Sequence, residues 1–251
     1  MRVLLGVSLA AVALCLSACG SGSSKQDLAP PPKVTNFALQ SKLMGRQLYE
    51  QLITPAGGGA GRALLVFLHG YGAAPSDTLS PAFVMALRRL GDRAPVVLLP
   101  EGDTGWWHDR DEGPWGSYVL REAIPAALTR SGANRDRVAI GGISMGGFCA
   151  VGGHSPAVLT RDEFGFGFDN AADYAPHNLL SLARKQSLYD APVWIDVGNH
   201  DDLRPASAKL ARELDADGAD VSFHVWPGAH DGQYWDAHFA DYLRFYAAAC
   251  D

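Results

Sequence analysis

Short apolar runs alternate with amphipathic segments along most of the chain. The apolar runs have the length of strands and lie at residues 63–68, 96–99, 137–140, 192–197 and 221–226. Continuous apolar runs suit strands that are covered on both faces, as parallel strands are. Helical spacing follows them at residues 82–90, 117–131, 145–152, 206–216 and 233–249. This alternation predicts an α/β fold, with a mainly parallel sheet and helices on both of its faces.

Two further segments precede the alternating pattern. Residues 35–41 and 46–53 are joined around Met44-Gly45, and they predict a hairpin that opens the folded domain. Residues 55–61 are rich in glycine and predict a loop before the first buried strand.

The first residues have the pattern of an export signal. Met1-Arg2 supplies a positive start, and residues 3–16 form an apolar run that is too short for a comfortable membrane span. The run ends in Leu16-Ser17-Ala18-Cys19, which resembles the lipobox of bacterial lipoproteins, where the cysteine is lipidated and becomes the N-terminus. An ordinary cleaved signal peptide is the alternative.

The lipobox resemblance implies two acyl chains on Cys19, which suffice for stable anchoring. Gly, Ser and Pro dominate residues 20–32, so we predict a flexible tether there. The predicted organisation is a signal peptide at 1–18, a lipidated cysteine with its tether at 19–32, and one folded domain at 33–251. The expected location is the extracytoplasmic face of a membrane.

Composition narrows the class of protein. The 251 residues are 47% hydrophobic and 19% charged, which indicates one globular domain. A net charge of −6 without clustered basic residues excludes nucleic acid as a partner. Once Cys15 is removed and Cys19 is lipidated, Cys149 and Cys250 remain, and their spacing alone does not decide whether they form a disulfide.

A candidate nucleophile follows the third apolar run. Gly142-Ile143-Ser144-Met145-Gly146 lies between a predicted strand and a predicted helix, the context in which G-x-S-x-G forms a nucleophile elbow. We expect Ser144 to adopt a strained backbone conformation that the flanking glycines make possible. The N-terminus of the following helix would favour negative charge at the reacting centre.

A base for Ser144 should follow it along the chain, after an acid. His230 lies in the loop between the last predicted strand and the last predicted helix, from which it can reach over the sheet. His224 falls inside a strand and His238 inside a helix, where packing roles are favoured, and His200 precedes both. We therefore predict His230 as the base.

The acid should follow the preceding strand. Asp201 lies at the tip of that loop, where it can orient the imidazole of the base. Asp202 is its neighbour and could instead cap the next helix, and Asp196 lies within the strand, where a structural network is the favoured role. Asp201 is our first choice, and the other two stay open.

Backbone N–H groups should stabilise the developing oxyanion. One belongs to Met145, the residue after the nucleophile. The second is predicted at Tyr71, in the loop His69-Gly70-Tyr71-Gly72 that follows the first apolar run. His69 is then a structural residue of that turn.

With these motifs in order, the chain resembles the esterases of the α/β-hydrolase fold, which include esterase D-type carboxylesterases, feruloyl esterases and mycolyltransferases. The resemblance runs from about Phe37 to Tyr246 and is most specific at residues 118–125 and 137–147. It implies Ser144, Asp201 and His230 as the catalytic residues, without a metal or an organic cofactor. The chain departs from the family at 154–190, an acidic and aromatic stretch, so the family's substrates do not transfer.

Aromatic residues cluster near the expected C-terminal edge of the sheet. The predicted pocket-lining residues are Trp106, Trp107, Trp226, Tyr234 and Trp235, with packing in the core as the alternative for each. His108-Asp109 with Asp111-Glu112 matches no metal-ligand spacing, so we predict a solvated loop there.

These features together predict a monomeric lipoprotein that hydrolyses carboxylic esters of a small molecule or of the cell envelope. An acyltransferase with the same three residues, acting on an envelope sugar or lipid alcohol, is the first alternative. A non-catalytic binding lipoprotein of the same fold is the second, and the complete set of Ser144, Asp201 and His230 argues against it.

Overall fold

A computed structural model describes residues 28–159, 166–185 and 191–250, without the side chain of Cys149. The predicted signal peptide, the predicted lipidation site at Cys19 and most of the predicted tether lie outside these residues. Within the described ranges, no helix is both long and apolar enough to cross a membrane.

A mostly parallel sheet forms the centre of the molecule. Its strands are β1 (Lys33–Gln40), β2 (Gln47–Thr54), β3 (Leu64–Leu68), β4 (Val96–Leu99), β7 (Val138–Ile143), β8 (Gly152–His154), β9 (Val193–Gly198) and β10 (Val221–Trp226). They lie in the order β1-β2-β4-β3-β7-β8-β9-β10. β2 pairs antiparallel with β1 and β4, and the strands from β4 to β10 pair in parallel. The predicted hairpin and parallel sheet are confirmed.

Helices connect the strands. They are α1 (Pro81–Leu90), α2 (Trp115–Tyr118), α3 (Ile124–Ser131), α4 (Ala171–His177), α5 (Leu179–Leu182), α6 (Arg204–Ala216) and α7 (Gly232–Ala249). Shorter helical turns lie at Pro75–Thr78, Gly91–Arg93, Val119–Ala123 and Ser144–Cys149, and β5 (Asp109–Arg110) with β6 (Gly113–Pro114) forms a separate small hairpin.

Alternation along the strands places apolar side chains on both faces of the sheet. In β3, Leu65 and Phe67 pack with α1 and α7, whereas Leu64, Val66 and Leu68 pack with α2 and α3. In the same way, β9 packs against α6 on the face opposite α7. The sheet is therefore covered on both sides, and the prediction of helices on both faces is confirmed.

The segment after the serine differs from its prediction. In place of one helix over residues 145–152, a short helical turn at Ser144–Cys149 is followed by strand β8. A Cβ atom at Gly141 or Gly152 would overlap the Tyr246 hydroxyl, so the β7–β8 pairing depends on both glycines. Glycine is a poor helix former, so the local preference for a helix over residues 145–152 is weak, and the tertiary contacts decide in favour of a strand.

The helix predicted at 117–131 is confirmed, with a change of pitch. A wider π-type turn at Val119–Ala123 separates α2 from α3. Pro125, at the start of α3, has no N–H to continue the α-helical bonding, which accounts for the change. Gly132 ends α3 in the left-handed conformation, with φ of 69°.

The described end of the predicted tether contacts the domain. The Ala29 N–H donates to the Arg88 carbonyl on α1 (3.2 Å), and Arg88 Nε donates to the Ala29 carbonyl (2.7 Å). The chain therefore contacts α1 at Ala29, ahead of the predicted domain start.

Candidate active site

A sharp turn at the end of β7 presents Ser144. The serine has φ of 56°, a left-handed conformation that costs energy for a residue with a Cβ. A Cβ at Gly146 would overlap the Leu68 carbonyl, and a Cβ at Gly142 would lie 2.6 Å from the Gly146 backbone. The predicted strained elbow is therefore present, and both flanking glycines are sterically required.

Ser144, His230 and Asp201 form one continuous chain of hydrogen bonds. His230 Nδ1 lies 2.9 Å from Asp201 Oδ2, and His230 Nε2 lies 2.9 Å from Ser144 Oγ. An ionised carboxylate only accepts, so Nδ1 of a neutral imidazole carries the proton. Nε2 then accepts from the Ser144 hydroxyl, the orientation that a general base requires.

Asp201 is held in place by its surroundings. Its side chain is fully buried, whereas the side chain of His230 is 34% exposed. Oδ1 accepts the Leu203 N–H at 2.8 Å. Burial by itself raises the pKa of Asp201, but the hydrogen bonds from His230 and the Leu203 N–H outweigh it and hold the pKa below its ordinary value. The carboxyl group is therefore ionised at neutral pH.

The loops that carry the acid and the base are fastened to each other. They leave the neighbouring strands β9 and β10, whose parallel pairing brings both C-terminal ends to one edge. The His200 N–H donates to the Gly228 carbonyl (2.9 Å), and the Gly228 N–H donates to Asn199 Oδ1 (3.1 Å). A Cβ at Gly198 would lie 2.5 Å from the Gly228 carbonyl oxygen, so the loops touch through glycine.

The loop after β3 lies against the nucleophile. A Cβ at Gly70 would be 3.5 Å from Ser144 Cβ, so the loop that carries Tyr71 borders the nucleophile. His69 is buried, with Nδ1 2.7 Å from the Gly70 carbonyl, and burial lowers its pKa. Trp107 Nε1 donates to the His69 carbonyl at 3.2 Å. His69 therefore has the structural position that was predicted for it.

The other predicted oxyanion donor lies at the start of a short turn. Met145 is the second residue of the turn Ser144–Cys149, so its N–H precedes the first hydrogen bond within that turn. The turn has six residues, so no long helix begins at Ser144 to supply the helix dipole that the sequence predicted there. That part of the sequence interpretation is corrected.

A cleft of about 370 Å³ opens beside Ser144. Its wall combines the loop after β3, the turn Pro75–Thr78 and the start of α7. The lining residues are His69, Gly70, Tyr71, Ala73, Asp77, Thr78, Ile143, Ser144, His230, Gly232, Trp235, Asp236 and Phe239. Trp235 also contacts the His230 ring edge-on at 5.2 Å. Asp77, Thr78 and Phe239 had no signal in the sequence.

An aromatic cluster lies beside this cleft. Tyr71 is 48% exposed and Phe166 is 46% exposed, and their rings are 4.7 Å apart. The buried Trp106 packs beneath them, 5.2 Å from Phe166 and 6.2 Å from Tyr71. Trp106 therefore supports a surface of the site without itself being open to solvent.

Three other predicted pocket residues pack elsewhere. Trp107 is buried against His69, and Tyr234 donates to Asp196 Oδ2 at 2.7 Å within the core. Trp226 stacks on His238 with ring centres 4.1 Å apart. The pocket prediction is thus corrected for Trp107, Trp226 and Tyr234, because Trp226 and Tyr234 pack with α7 and its partners, whereas Trp107 packs in the core on the opposite face of the sheet.

Sequence reasoning missed a buried network below the site. His154 on β8 is fully buried, with Nδ1 2.6 Å from Asp196 Oδ1 and Nε2 2.8 Å from the Tyr246 hydroxyl. Tyr242 also donates to Asp196 Oδ2, at 2.8 Å. Asp196 therefore has the structural role suggested for it, and it is not an alternative acid for His230. The sequence predicted a helix over 145–152 and no strand after it, so His154 was not placed beside Asp196.

The chain is similar in sequence to a known esterase. No protein-family model matches the chain. An acetyl esterase from Caldicellulosiruptor saccharolyticus is 25% identical over 227 residues, covering 74% of this chain and 84% of that protein.

Several solved structures resemble the chain in three dimensions, although their sequence identity to it is low. A ferulic acid esterase superposes with a TM-score of 0.77 at 17% identity, covering 88% of this chain and 100% of that one. An S-formylglutathione hydrolase from Agrobacterium tumefaciens gives 0.72 at 18% identity, covering 91% and 99%. MPT51 from Mycobacterium tuberculosis gives 0.72 at 15% identity, covering 89% and 100%. The chain has the α/β-hydrolase fold, and the predicted resemblance to its esterases is confirmed.

Proposed function

We propose that this α/β-hydrolase is a serine esterase that cleaves carboxylic esters through an acyl-enzyme on Ser144. The observation that carries the proposal is the unbroken hydrogen-bond chain Ser144–His230–Asp201 at the edge of an open cleft. The esterase relatives support the same class of reaction.

The reaction begins with the serine hydroxyl. Ser144 Oγ attacks the ester carbonyl while His230 Nε2 takes its proton, and the carbonyl oxygen becomes an oxyanion. The N–H groups of Tyr71 and Met145 are the proposed donors to that oxyanion. His230 then gives the proton to the leaving alcohol, which leaves an acyl group on Ser144.

Deacylation repeats these steps with water. His230 takes a proton from a water molecule, the resulting hydroxide adds to the acyl carbonyl, and Ser144 leaves with the proton that His230 returns. Throughout both steps Asp201 stays ionised and accepts the Nδ1–H, which stabilises the imidazolium.

The cleft supports a substrate with a short acyl group. It is bounded by Trp235 and Phe239, and one relative in sequence is an acetyl esterase. Tyr71 lines the cleft and Phe166 extends this wall beyond it, and we assign the Tyr71–Phe166 surface to the alcohol part of the ester.

The experiment that tests the reaction uses the detergent-solubilised full chain. A fluorophosphonate probe should label the wild type and should not label Ser144→Ala, and p-nitrophenyl acetate should be turned over faster than long-chain esters. Ser222→Ala changes an exposed serine on β10 and serves as the control.

Two results would contradict the proposal. A folded wild type that takes no label would favour a binding protein, and labelling without hydrolysis of any ester would favour an acyltransferase.

The location belongs to the same proposal. The lipobox at residues 16–19 supports export and lipidation of Cys19, which would hold the domain at the extracytoplasmic face of a membrane. Cells that express the chain should incorporate radiolabelled palmitate into it, and Cys19→Ser should abolish incorporation. Equal incorporation in that variant would refute the lipid anchor.

A further inference from the structure

Two histidines and an aspartate meet on the side of the molecule that carries α4. His108 follows β4, whereas Asp173 and His177 lie four residues apart on α4, so one helix face presents both. One ligand atom from each residue lies within 4.8 Å of the other two. Neither the catalytic chain nor the cleft uses these side chains.

His108 is oriented as a ligand would be. Its Nδ1 lies 3.2 Å from the Trp106 carbonyl oxygen, which only accepts, so in the neutral ring Nδ1 carries the proton. The unprotonated Nε2 then faces Asp173 Oδ2 at 3.4 Å. Nε2 of His108 and Oδ2 of Asp173 are then both hydrogen-bond acceptors, and they repel each other. A cation bound between them would remove this repulsion.

The two residues of α4 are fixed in a similar way. His177 Nδ1 lies 2.8 Å from the Asp173 carbonyl and 3.0 Å from Asp173 Oδ1. The Asp169 N–H donates to Asp173 Oδ2 at 2.9 Å and orients the carboxylate. Backbone hydrogen bonds that orient a histidine or a carboxylate are typical of the surroundings of metal ligands.

The cluster is enclosed on one side and open on the other. The side chains of His108 and Asp173 are 5% and 11% exposed, whereas that of His177 is 32% exposed. Phe148 and Phe168 pack against the His108 ring and form an apolar wall. A cation could enter past His177, and water could complete its coordination.

We propose that His108, Asp173 and His177 bind one divalent transition-metal ion, with Zn²⁺ as the best match. Two imidazoles and one carboxylate are the ligand types that zinc accepts, and three protein ligands leave a position for water. The ion would tie α4 to the loop at 106–108. Trp106 in that loop supports Tyr71 and Phe166, so the site would stabilise the wall beside the cleft.

The sequence gives no sign of this site, because 65 positions separate His108 from Asp173. Adjacent acidic residues drew attention to 108–112 as a solvated loop instead. The structure shows that His108 is buried and points away from those acids, toward α4.

The test is a titration of the untagged, metal-free full chain with Co²⁺, followed by displacement with Zn²⁺. We expect uptake of about one equivalent, with the strong visible absorption of a tetrahedral Co²⁺ ion, and a higher melting temperature with Zn²⁺. Asp173→Asn and His177→Gln should each lose both effects. His200→Gln removes an exposed histidine outside the cluster and should keep them.

His177 is the primary site for mutation because it is partly exposed, so His177→Gln should fold even if a variant of the buried His108 does not. No uptake by the wild type, or equal uptake by Asp173→Asn and His177→Gln, would overturn the proposal and leave a plain His–Asp contact. Ser144→Ala should bind metal like the wild type, so failure of the esterase proposal would not affect this test.

Discussion

Individual side chains in this protein are set by what surrounds them, as the two neighbouring aspartates after β9 show. Asp201 is buried and bonded to His230, whereas Asp202 is exposed. The sequence favoured Asp201 without excluding its neighbour, since either could follow the strand. Asp201 and Asp202 differ in the direction in which their side chains point, and that direction depends on contacts with the loop after β10, which carries His230.

The role of Asp201 can be measured directly. Asp201→Asn should lower kcat by roughly 10³- to 10⁴-fold with little change in KM, because an amide can hold His230 in the wrong tautomer. Asp202→Asn, the neighbouring control, should keep nearly full activity. Steady-state hydrolysis of p-nitrophenyl acetate measures both. If Asp202→Asn showed the larger loss, the assignment of the acid would be wrong.

A second buried carboxyl group makes stability depend on pH. Glu50 on β2 accepts hydrogen bonds from the Tyr118 hydroxyl and, at 3.2 Å, from the Glu101 N–H. Burial raises the pKa of Glu50 to about 7. The folded protein therefore binds this proton more tightly than the unfolded chain does, and stability falls as pH rises from about 4.5 to about 7.

Removal of that charge should stabilise the protein under alkaline conditions. Glu50→Gln should increase the free energy of unfolding at pH 8 by up to about 3 kcal/mol relative to the wild type, with a much smaller difference at pH 4.5. Urea unfolding at both pH values measures this, with the exposed Glu112→Gln as the control. An equal effect at both pH values would contradict ionisation of Glu50 as the cause.

At the scale of elements, the glycine-rich segment after Ser144 is the clearest case in which the local pattern leaves the structure undecided. Propensity and spacing do not separate a helix of small residues from a short strand between two others. The Tyr246 hydroxyl accounts for the outcome. It donates to the Gly152 carbonyl at 3.1 Å, and it occupies the space that a Cβ at Gly152 would need.

Gly152→Ala distinguishes the two interpretations. Alanine would stabilise a helix here by up to about 1 kcal/mol. In the strand its methyl group meets Tyr246, so we expect a loss of roughly 1–3 kcal/mol by urea unfolding. Gly232→Ala, where a Cβ meets open space, is the control. An increase in stability for Gly152→Ala would contradict the position of β8.

At the scale of the whole molecule, α7 links the core of the sheet to the catalytic base. Its tyrosines Tyr234 and Tyr242 donate to Asp196 on β9, and its first turn directly follows the His230 loop. Burial by itself raises the pKa of Asp196, but His154 and the tyrosine hydroxyls outweigh it and lower the pKa. The ionised Asp196 therefore contributes stability at pH values above the unfolded pKa of an aspartate. This contribution is lost as the pH falls through the lower pKa of the folded state.

Asp196→Asn should test that link. An amide cannot accept from all of the donors around Asp196 and leaves His154 without its carboxylate, so we expect a loss of about 3–5 kcal/mol in the free energy of unfolding. Asp241→Asn changes a partly exposed aspartate on α7 and should alter the free energy of unfolding little. Chemical unfolding measures both, and equal stability of the two variants would refute a central role for Asp196.

The sequence by itself determined the alternating strands and helices, the elbow at Ser144 and the order of serine, acid and histidine. These features are local, since they depend on the period of apolar positions, on glycines beside the serine and on loops that follow parallel strands. Tertiary structure alone decided β8, the lining of the cleft, the His154–Asp196 network and the His108–Asp173–His177 cluster. Each of these depends on contacts between residues far apart in the chain, which no local pattern encodes.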